Sequence, residues 1–561
     1  MRTTLADLPS LPPVGLRPPD MVMRLERMGA MHATRLSFAR AMLRRVEREG
    51  WRVTRPVWEI DARGFGHAVY RVDTPERCYG LVAFSQELAP EQRTDRVIAE
   101  AWDTTYVLYD GMPDDAAIAR LAAQVPLQEA GRFTETELIL SRANKSVRLF
   151  DAVVAILADG RQPEARMLDD VGYLMRTTAV YGNGKFGIAD RDLLAGRPEF
   201  AGPFRAEMLT VWLIRTFTVD LADHCAAARD SRAVRLAPEL RRRLGVGNST
   251  GLGMAPFLVR HPVLIHHWME ARETALARVR SLDAVVPAAW AAFRSALQEA
   301  RAEVAGWTTQ DTVAAARVHE LDADLAAFAA HLDVPQRDSW TWDGLYRWAE
   351  AHLAAEAQEY VVSLLLDPHG VLIDDLADRM SADERLGTAI DGTADCSTLR
   401  GAIEENYAWA LAIDYDVPAA QARFWYVSAE KLEPRLGERR DETGAELEQP
   451  LAFGRDMAGL HRALSEVPDR MLVARFLVQR PDLRHVVRRV QIAARHPYAE
   501  IRGNLIDEAM RPIDLLRCKL AFFGATRFDP RSDRWLRISL FRDAPLPDDL
   551  MGSDATGRTA C

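Results

Sequence analysis

Lysine and asparagine are nearly missing from this chain. Only Lys145, Lys185, Lys431 and Lys519 among its 71 basic residues are lysine, and Asn144, Asn183, Asn248, Asn406 and Asn504 are the only asparagines. Cysteine is sparse too. The five, Cys78, Cys225, Cys396, Cys518 and Cys561, are far apart and form no C-x-x-C pair, which excludes a disulfide framework and a paired-cysteine metal or redox motif and fits a reduced cytosol. No long apolar run exists. The most apolar stretch, Met208 to Leu221, is interrupted by Arg215 and Asp220 and is too short to span a bilayer. An excess of positive charge is also lacking: the net charge is −10, so no global field draws the chain to nucleic acid or to an anionic membrane. The basic clusters Arg241, Arg242, Arg243 and Arg484, Arg488, Arg489 carry no interleaved aromatics and read as solvated faces. The start of the chain, with prolines at 9, 12, 13, 18 and 19, lacks the apolar core of a signal peptide.

What is present belongs to an ordinary globular protein: 48% hydrophobic and 27% charged residues over 561 positions, enough for several domains. The pattern predicts a mainly α fold. Its centre is a helical bundle, with a small N-terminal antiparallel β-sheet in an α+β domain and a helical C-terminal region ending in short strands. The boundaries drawn are a proline-rich lead over 1–20, the α+β domain over 21–135, the bundle over 136–370, the C-terminal helical domain over 371–545 and a disordered tail over 546–561. β-branched and aromatic residues mark strands at Trp51 to Asp61, His67 to Asp73, Cys78 to Ser85 and Thr104 to Tyr109. Helical periodicity marks Arg205 to Arg229, Pro262 to Arg280, Ala288 to Ala305 and Thr312 to Leu332.

The scarcity of lysine and asparagine is itself a signal, because a bias that removes a residue type leaves survivors where its chemistry is needed. Lysine differs from arginine in that a suitable site can bring its proton loss near neutral pH, so that it can serve as acid, base or nucleophile. Two lysines lie beside surviving asparagines, in Asn144-Lys145 and Asn183-Gly184-Lys185. Three segments follow from this. Ser141 to Arg148 is read as a helix start, where backbone N–H groups with Arg142, Asn144, Lys145 and Arg148 suit a phosphate or carboxylate. Arg176 to Gly187 is read as a helix end and glycine-spaced turn bearing Arg176, Tyr181, Asn183 and Lys185. Gly245 to Met254, with Asn248, Ser249 and Thr250, is read as a loop that covers a ligand. This last run resembles the serine-bearing loop of the aspartase and fumarase superfamily, but the lysine and asparagine that should follow the methionine are missing, so no family follows from it.

The residues assigned to catalysis are Lys185, Tyr181 and Ser249, and those assigned to substrate are Arg142, Asn144, Lys145, Arg148, Arg176, Asn183, Asn248 and Thr250. His266 and Glu270 share a helix face without a second ligand pair, and are read as structural, with no metal. No nucleotide or flavin motif is present and no cofactor is expected; the segment at Lys185 lacks the spacing of a Walker loop. The expected function is that of a cytosolic enzyme, a lyase or isomerase acting on a small anionic metabolite. Its partner is that small-molecule anionic substrate, with no nucleic acid and no membrane, and a homodimer is compatible with the chain. The alternative is a non-catalytic ligand-binding or scaffolding protein.

Overall fold

A computed structural model of the chain describes residues 14–87, 102–127, 134–177, 194–251, 258, 261–309, 311–333, 340–381, 389–416, 425–427, 434–436, 449–450, 453–502, 512–526, 529–530 and 535–550. The chain divides into two compact units, each built from separated stretches: Ser37–Thr250 with Phe523–Cys561, and Met1–Leu36 with Gly251–Phe522.

The first unit is organised by a sheet. Helix α1 (Phe38–Glu49) stops at Gly50, whose φ of 66° is the left-handed turn that glycine adopts without strain. Strands β1 (Arg52–Ile60), β2 (Gly66–Asp73), β3 (Cys78–Ser85) and β4 (Thr104–Asp110) then form an antiparallel meander. A bulge between Thr54 and Val57 takes up Pro56, which has no N–H for the ladder. The remaining helices of this unit used below are α2 (Asp115–Gln124), α3 (Phe150–Ala158) and α4 (Arg205–Arg229).

The meander is less than half of the sheet, and the expected architecture of a small N-terminal sheet beside a mainly helical bundle is corrected. Strands β5 (Glu137–Lys145), β6 (Tyr173–Thr177), β7 (Gly245–Gly251), β8 (Asp529–Pro530) and β9 (Trp535–Leu540) extend it in the order β1-β2-β3-β4-β5-β6-β7-β9-β8. It is a mixed, nine-stranded sheet, eight-stranded if the two-residue β8 is left out, curved as a half-barrel. The physical reason lies in propensity. Leu, Arg, Ala and Lys in β5 favour a helix on their own, but β5 is paired on both edges, by β4 and β6, and that pairing overrides local preference. Helix α4 crosses between parallel β6 and β7 and is buried along almost its whole length, which explains why its residues form the most apolar stretch of the sequence. No helix among the described residues is long and apolar enough to cross a membrane.

The second unit is helical: α5 (Pro262–Arg280), α6 (Pro287–Ala305), α7 (Thr312–Leu332), α8 (Trp342–His352), α9 (Ala355–Leu366), α10 (Gly370–Arg379), α11 (Cys396–Asn406), α12 (Phe453–Ser465), α13 (Arg484–Arg495) and α14 (Pro512–Phe523). The segment after residue 13 is held in it by charge. Arg17, 4% exposed, donates from Nε and Nη2 to Glu273 of α5 at 2.8 and 2.9 Å, and from Nη1 and Nη2 to Glu359 of α9 at 2.8 and 3.0 Å. Arg272 reaches Glu359 at 3.2 Å and Glu273 at 3.1 Å. Burial pushes the Glu359 carboxyl up, but Arg17 and Arg272 outweigh it and hold the group at about 2. From α14, Arg517 donates to the carbonyls of Leu25, Glu26 and Gly29 at 2.8, 2.6 and 2.8 Å.

Glu359→Gln leaves Arg17 and Arg272 incompletely neutralised in a dry site, a loss of about 3–5 kcal/mol. A lowered urea midpoint at pH 7 is the expected result. Because the folded carboxyl titrates below its ordinary 4.5, the wild type loses this part of its stability only as pH falls from about 4.5 toward 2, and the variant does not.

Candidate functional site

Three stretches that look separate in the sequence are neighbouring strands. Arg142, Asn144 and Lys145 lie on β5, Arg176 on β6 and Asn248 on β7, with Asn144 paired opposite Arg176 and Arg176 opposite Gly247. The readings of Ser141–Arg148 as a helix start, of Arg176 as a helix end and of Gly245–Gly251 as a loop are therefore corrected. The helix after β5 begins only at Phe150, and Arg148 is exposed in the turn before it, so a helix N-terminus does not contribute to binding here.

Alternation along the strands then separates the residues by face. Thr105 pairs with Arg142, and Arg142, Asn144 and Arg176 follow Leu140 on the face where Val69, Val82, Val107 and Leu140 pack against Ile118 and Leu121 of α2. Ser141, Lys145, Met175 and Thr177 turn to the α4 face. There the Lys145 Nζ lies 5.1 Å from the centre of the Phe150 ring and 5.7 Å from that of Phe65. The Met175 sulfur accepts from Tyr106 at 2.8 Å, Thr104 at 3.2 Å and Thr218 of α4 at 3.5 Å. Lys145 is thus on the opposite face from the arginines with which the sequence groups it.

On the arginine face the polar groups are tied into the backbone. The Asp103 N–H donates to Asn144 Oδ1 at 2.8 Å, and Asp103 Oδ2 accepts from the Lys145 N–H at 3.0 Å. On the α4 face the Thr177 and Ser141 hydroxyls share a hydrogen bond of 3.0 Å, and from β7 Asn248 Nδ2 donates to the Thr177 backbone carbonyl at 3.0 Å. The Arg142 guanidinium stacks over Trp102 at 4.3 Å. Trp102 and Asp103 are absent from the sequence-based set, since no local motif marks them; only the ladder brings them beside Asn144. Because β6 and β7 are parallel, both end on one side of the sheet, the place where ligands gather in open sheets with crossover helices. Ser249 and Thr250 share the β7 backbone, while their side chains, and Tyr181, Asn183 and Lys185 entirely, lie outside the described residues.

No protein-family model matches the chain, and no curated protein or solved structure matches it.

Other polar groups singled out in the sequence have structural partners. Arg215 is bound to backbone: Nε donates to Leu244 O at 2.6 Å, and its other nitrogens reach the carbonyls of Arg241, Arg242, Ala544 and Pro545. Burial lowers it to about 10, so it remains charged at neutral pH. Cys396 is buried, which raises its thiol. In the helical unit Arg502 reaches Asn406 Oδ1 at 3.2 Å, and Tyr407 donates to Glu500 at 2.9 Å, which Arg489 also grips. Lys519, on α14, is fully buried, and that burial brings it down to about 7.

His266, 7% exposed, sits among His496 and His267, with ring centres 4.8 and 5.6 Å away, and Glu270 at 3.8 Å. Its Nδ1 accepts from the Tyr498 N–H at 3.3 Å, an arrangement that suits a neutral ring. No group of metal-ligating side chains with suitable geometry is found among the described residues. Burial first, then the two neighbouring imidazoles, lower His266 to about 3. The folded state therefore binds this proton less readily than the unfolded state, whose histidine titrates near 6.5, so stability falls as pH drops through the window from 6.5 to 3. Comparing urea midpoints at pH 7 and pH 5, the wild type should lose stability with a slope of up to about 1.4 kcal/mol per pH unit from this group. His266→Gln should show a flatter dependence over the same interval; equal slopes would remove His266 as the source.

Proposed function

We propose that the chain is a cytosolic enzyme acting on a small anionic metabolite, as a lyase or isomerase, with the carboxylate or phosphate held by Arg142, Asn144 and Arg176. The observation that carries this reading is the sharing of one sheet face by two guanidinium groups and an amide from adjacent strands, at the carboxyl side of parallel β6 and β7. Guanidinium offers planar, paired donors to an oxyanion, and such donors stabilise negative charge that develops as a proton leaves a carbon next to it. Asn248, Ser249 and Thr250 follow on the next strand as further contacts. The proton itself is assigned to Lys185 or Tyr181, on the sequence argument that a lysine retained in so arginine-rich a chain does what arginine cannot. This chemistry requires no cofactor.

Mass spectrometry of small molecules retained by the native protein, with thermal-shift screening of carboxylates and phosphates, identifies the ligand class. Arg176→Met should weaken a stabilising anion roughly ten- to hundredfold, the value of one or two hydrogen bonds to a charged group. Lys185→Arg should keep that affinity and abolish turnover of the identified substrate. Full turnover in Lys185→Arg removes Lys185 from the mechanism, and ligand binding without turnover in the wild type favours the alternative of a non-catalytic binding protein.

A further inference from the structure

Strand β1 ends the nine-stranded sheet and pairs on one side only, with β2. Its backbone has a definite phase. The Asp61 N–H bonds to the Phe65 carbonyl at 2.8 Å, so alternation turns the N–H and C=O groups of Glu59 and Val57 toward β2, and the regular run of β2 does the same for Thr54 and Arg52. The backbone groups of Val53 and Trp58 then point out of the sheet, and among the described residues no hydrogen bond reaches them. Thr54 pairs with Arg71 and Val57 with Val69, so Arg55 and Pro56 form a bulge opposite the single residue Tyr70. The bulge shifts the alternation of side chains. Val53 and Trp58 share the α4 face with Tyr70, where Trp58 meets His224, whereas Arg52, Thr54, Val57 and Glu59 share the face of Val69.

Charge, proline and a bulge at a sheet edge discourage an ordinary strand from adding there, since a regular ladder cannot run through the bulge. A second copy of β1, run antiparallel, is the exception, because it brings a bulge at the same place. With bulge against bulge, Val53 lies opposite the partner's Trp58, Thr54 opposite the partner's Val57 and Arg52 opposite the partner's Glu59. Each pair joins residues of one face, and the outward backbone groups of Val53 and Trp58 meet as a hydrogen-bonded pair. An arginine meets a glutamate at both ends; Arg52 is exposed and the Glu59 side chain is 72% exposed. At the centre the charge of Arg55 is already met, by Asp220 of α4 at 2.7 Å and by the Trp58 ring at 4.3 Å. We infer that β1 is the contact of a twofold homodimer, in which two copies join edge to edge with Arg52 of each opposite Glu59 of the other and the sheet continues across the pair.

The test uses the full chain. Sedimentation velocity over a range of concentrations should show a monomer–dimer equilibrium. Arg52→Glu and Glu59→Arg each set like charges opposite one another at both ends and should weaken dimerisation about tenfold, whereas the double variant Arg52→Glu/Glu59→Arg exchanges the partners and should restore it. The two residues are about 20 Å apart along one strand, so no contact within a copy accounts for such a rescue. Arg52→Cys/Glu59→Cys reads the register without relying on charge: mild oxidation should link two chains, and neither single variant should link beyond the wild type, because each new thiol faces a different residue of the other copy. The substituted side chains are exposed, and unchanged circular dichroism reports that the variants fold. A wild type that stays monomeric at every concentration overturns the inference. A dimer whose double-cysteine variant stays unlinked, or in which the double charge exchange is no stronger than the single ones, joins through another surface and overturns it equally.

Discussion

The arginine and asparagine cluster depends on one constraint, the parallel seam between β6 and β7. Parallel neighbours cannot be joined by a tight turn, so the chain must leave the sheet, cross over a face and return. Helix α4 makes that crossing. It covers the face bearing Tyr106, Met175 and Thr177, which leaves Arg142, Asn144 and Arg176 on the other side. Arg215, buried midway along α4, binds the carbonyl of Leu244, the residue just before β7, and so ties the crossover helix to the start of the strand it feeds. Its guanidinium donates to five backbone carbonyls and so acts as a multivalent donor, while the nearby Asp543 and Asp549 carboxylates favour its charge against burial.

How much of this was legible in the sequence follows from what sequence patterns record. Helices of the second unit are visible because their apolar periodicity is local: Thr312–Leu332 and Pro262–Arg280 are as the pattern predicts. The meander is visible for a related local reason, since its strands are rich in β-branched and aromatic residues and are bounded by turn residues. Strands β5, β6 and β7 are not. They carry arginine, lysine, asparagine and glycine among few β-branched or aromatic residues, and their polar groups bond across the ladder, as Asn248 does to the Thr177 carbonyl, so that they read as loop or helix-end chemistry. The gap of more than 60 residues between β6 and β7, and the return of β9 from the far end of the chain, are long-range pairings that no window of sequence contains.

The helical unit has a constraint of a different kind. Five charged groups, Arg17, Arg27, Arg272, Glu273 and Glu359, share one interior region, and each carboxylate is gripped from more than one side. Such a network contributes little net stability over a well-packed apolar core, yet it tolerates very few arrangements, because any misplacement leaves an uncompensated charge in low dielectric. It therefore specifies where the segment around Arg17 lies. The carbonyls of Leu25, Glu26 and Gly29 on Arg517 continue the same logic, and Gly29 is demanded there because a Cβ would stand 2.4 Å from the Arg517 carbonyl carbon.

The rarity of lysine and asparagine points to residues, not to roles, and the fold shows why the two differ. Asn144 and Lys145 are adjacent in sequence and both are survivors, but a strand turns successive side chains to opposite faces, so one amide joins the arginines while its neighbour's ammonium settles between two phenyl rings. Lysine suits that place because its compact charge sits at the end of a flexible stem. Lys519 illustrates a third use, a fully buried amine whose proton is loosened by desolvation alone, on a helix that also carries the carbonyl-binding Arg517. Lys145 and Lys519, the two lysines among the described residues, thus occupy settings that differ in shape and burial. Only the face on which a side chain lies, set by pairing partners distant in sequence, separates a candidate for chemistry from one for packing.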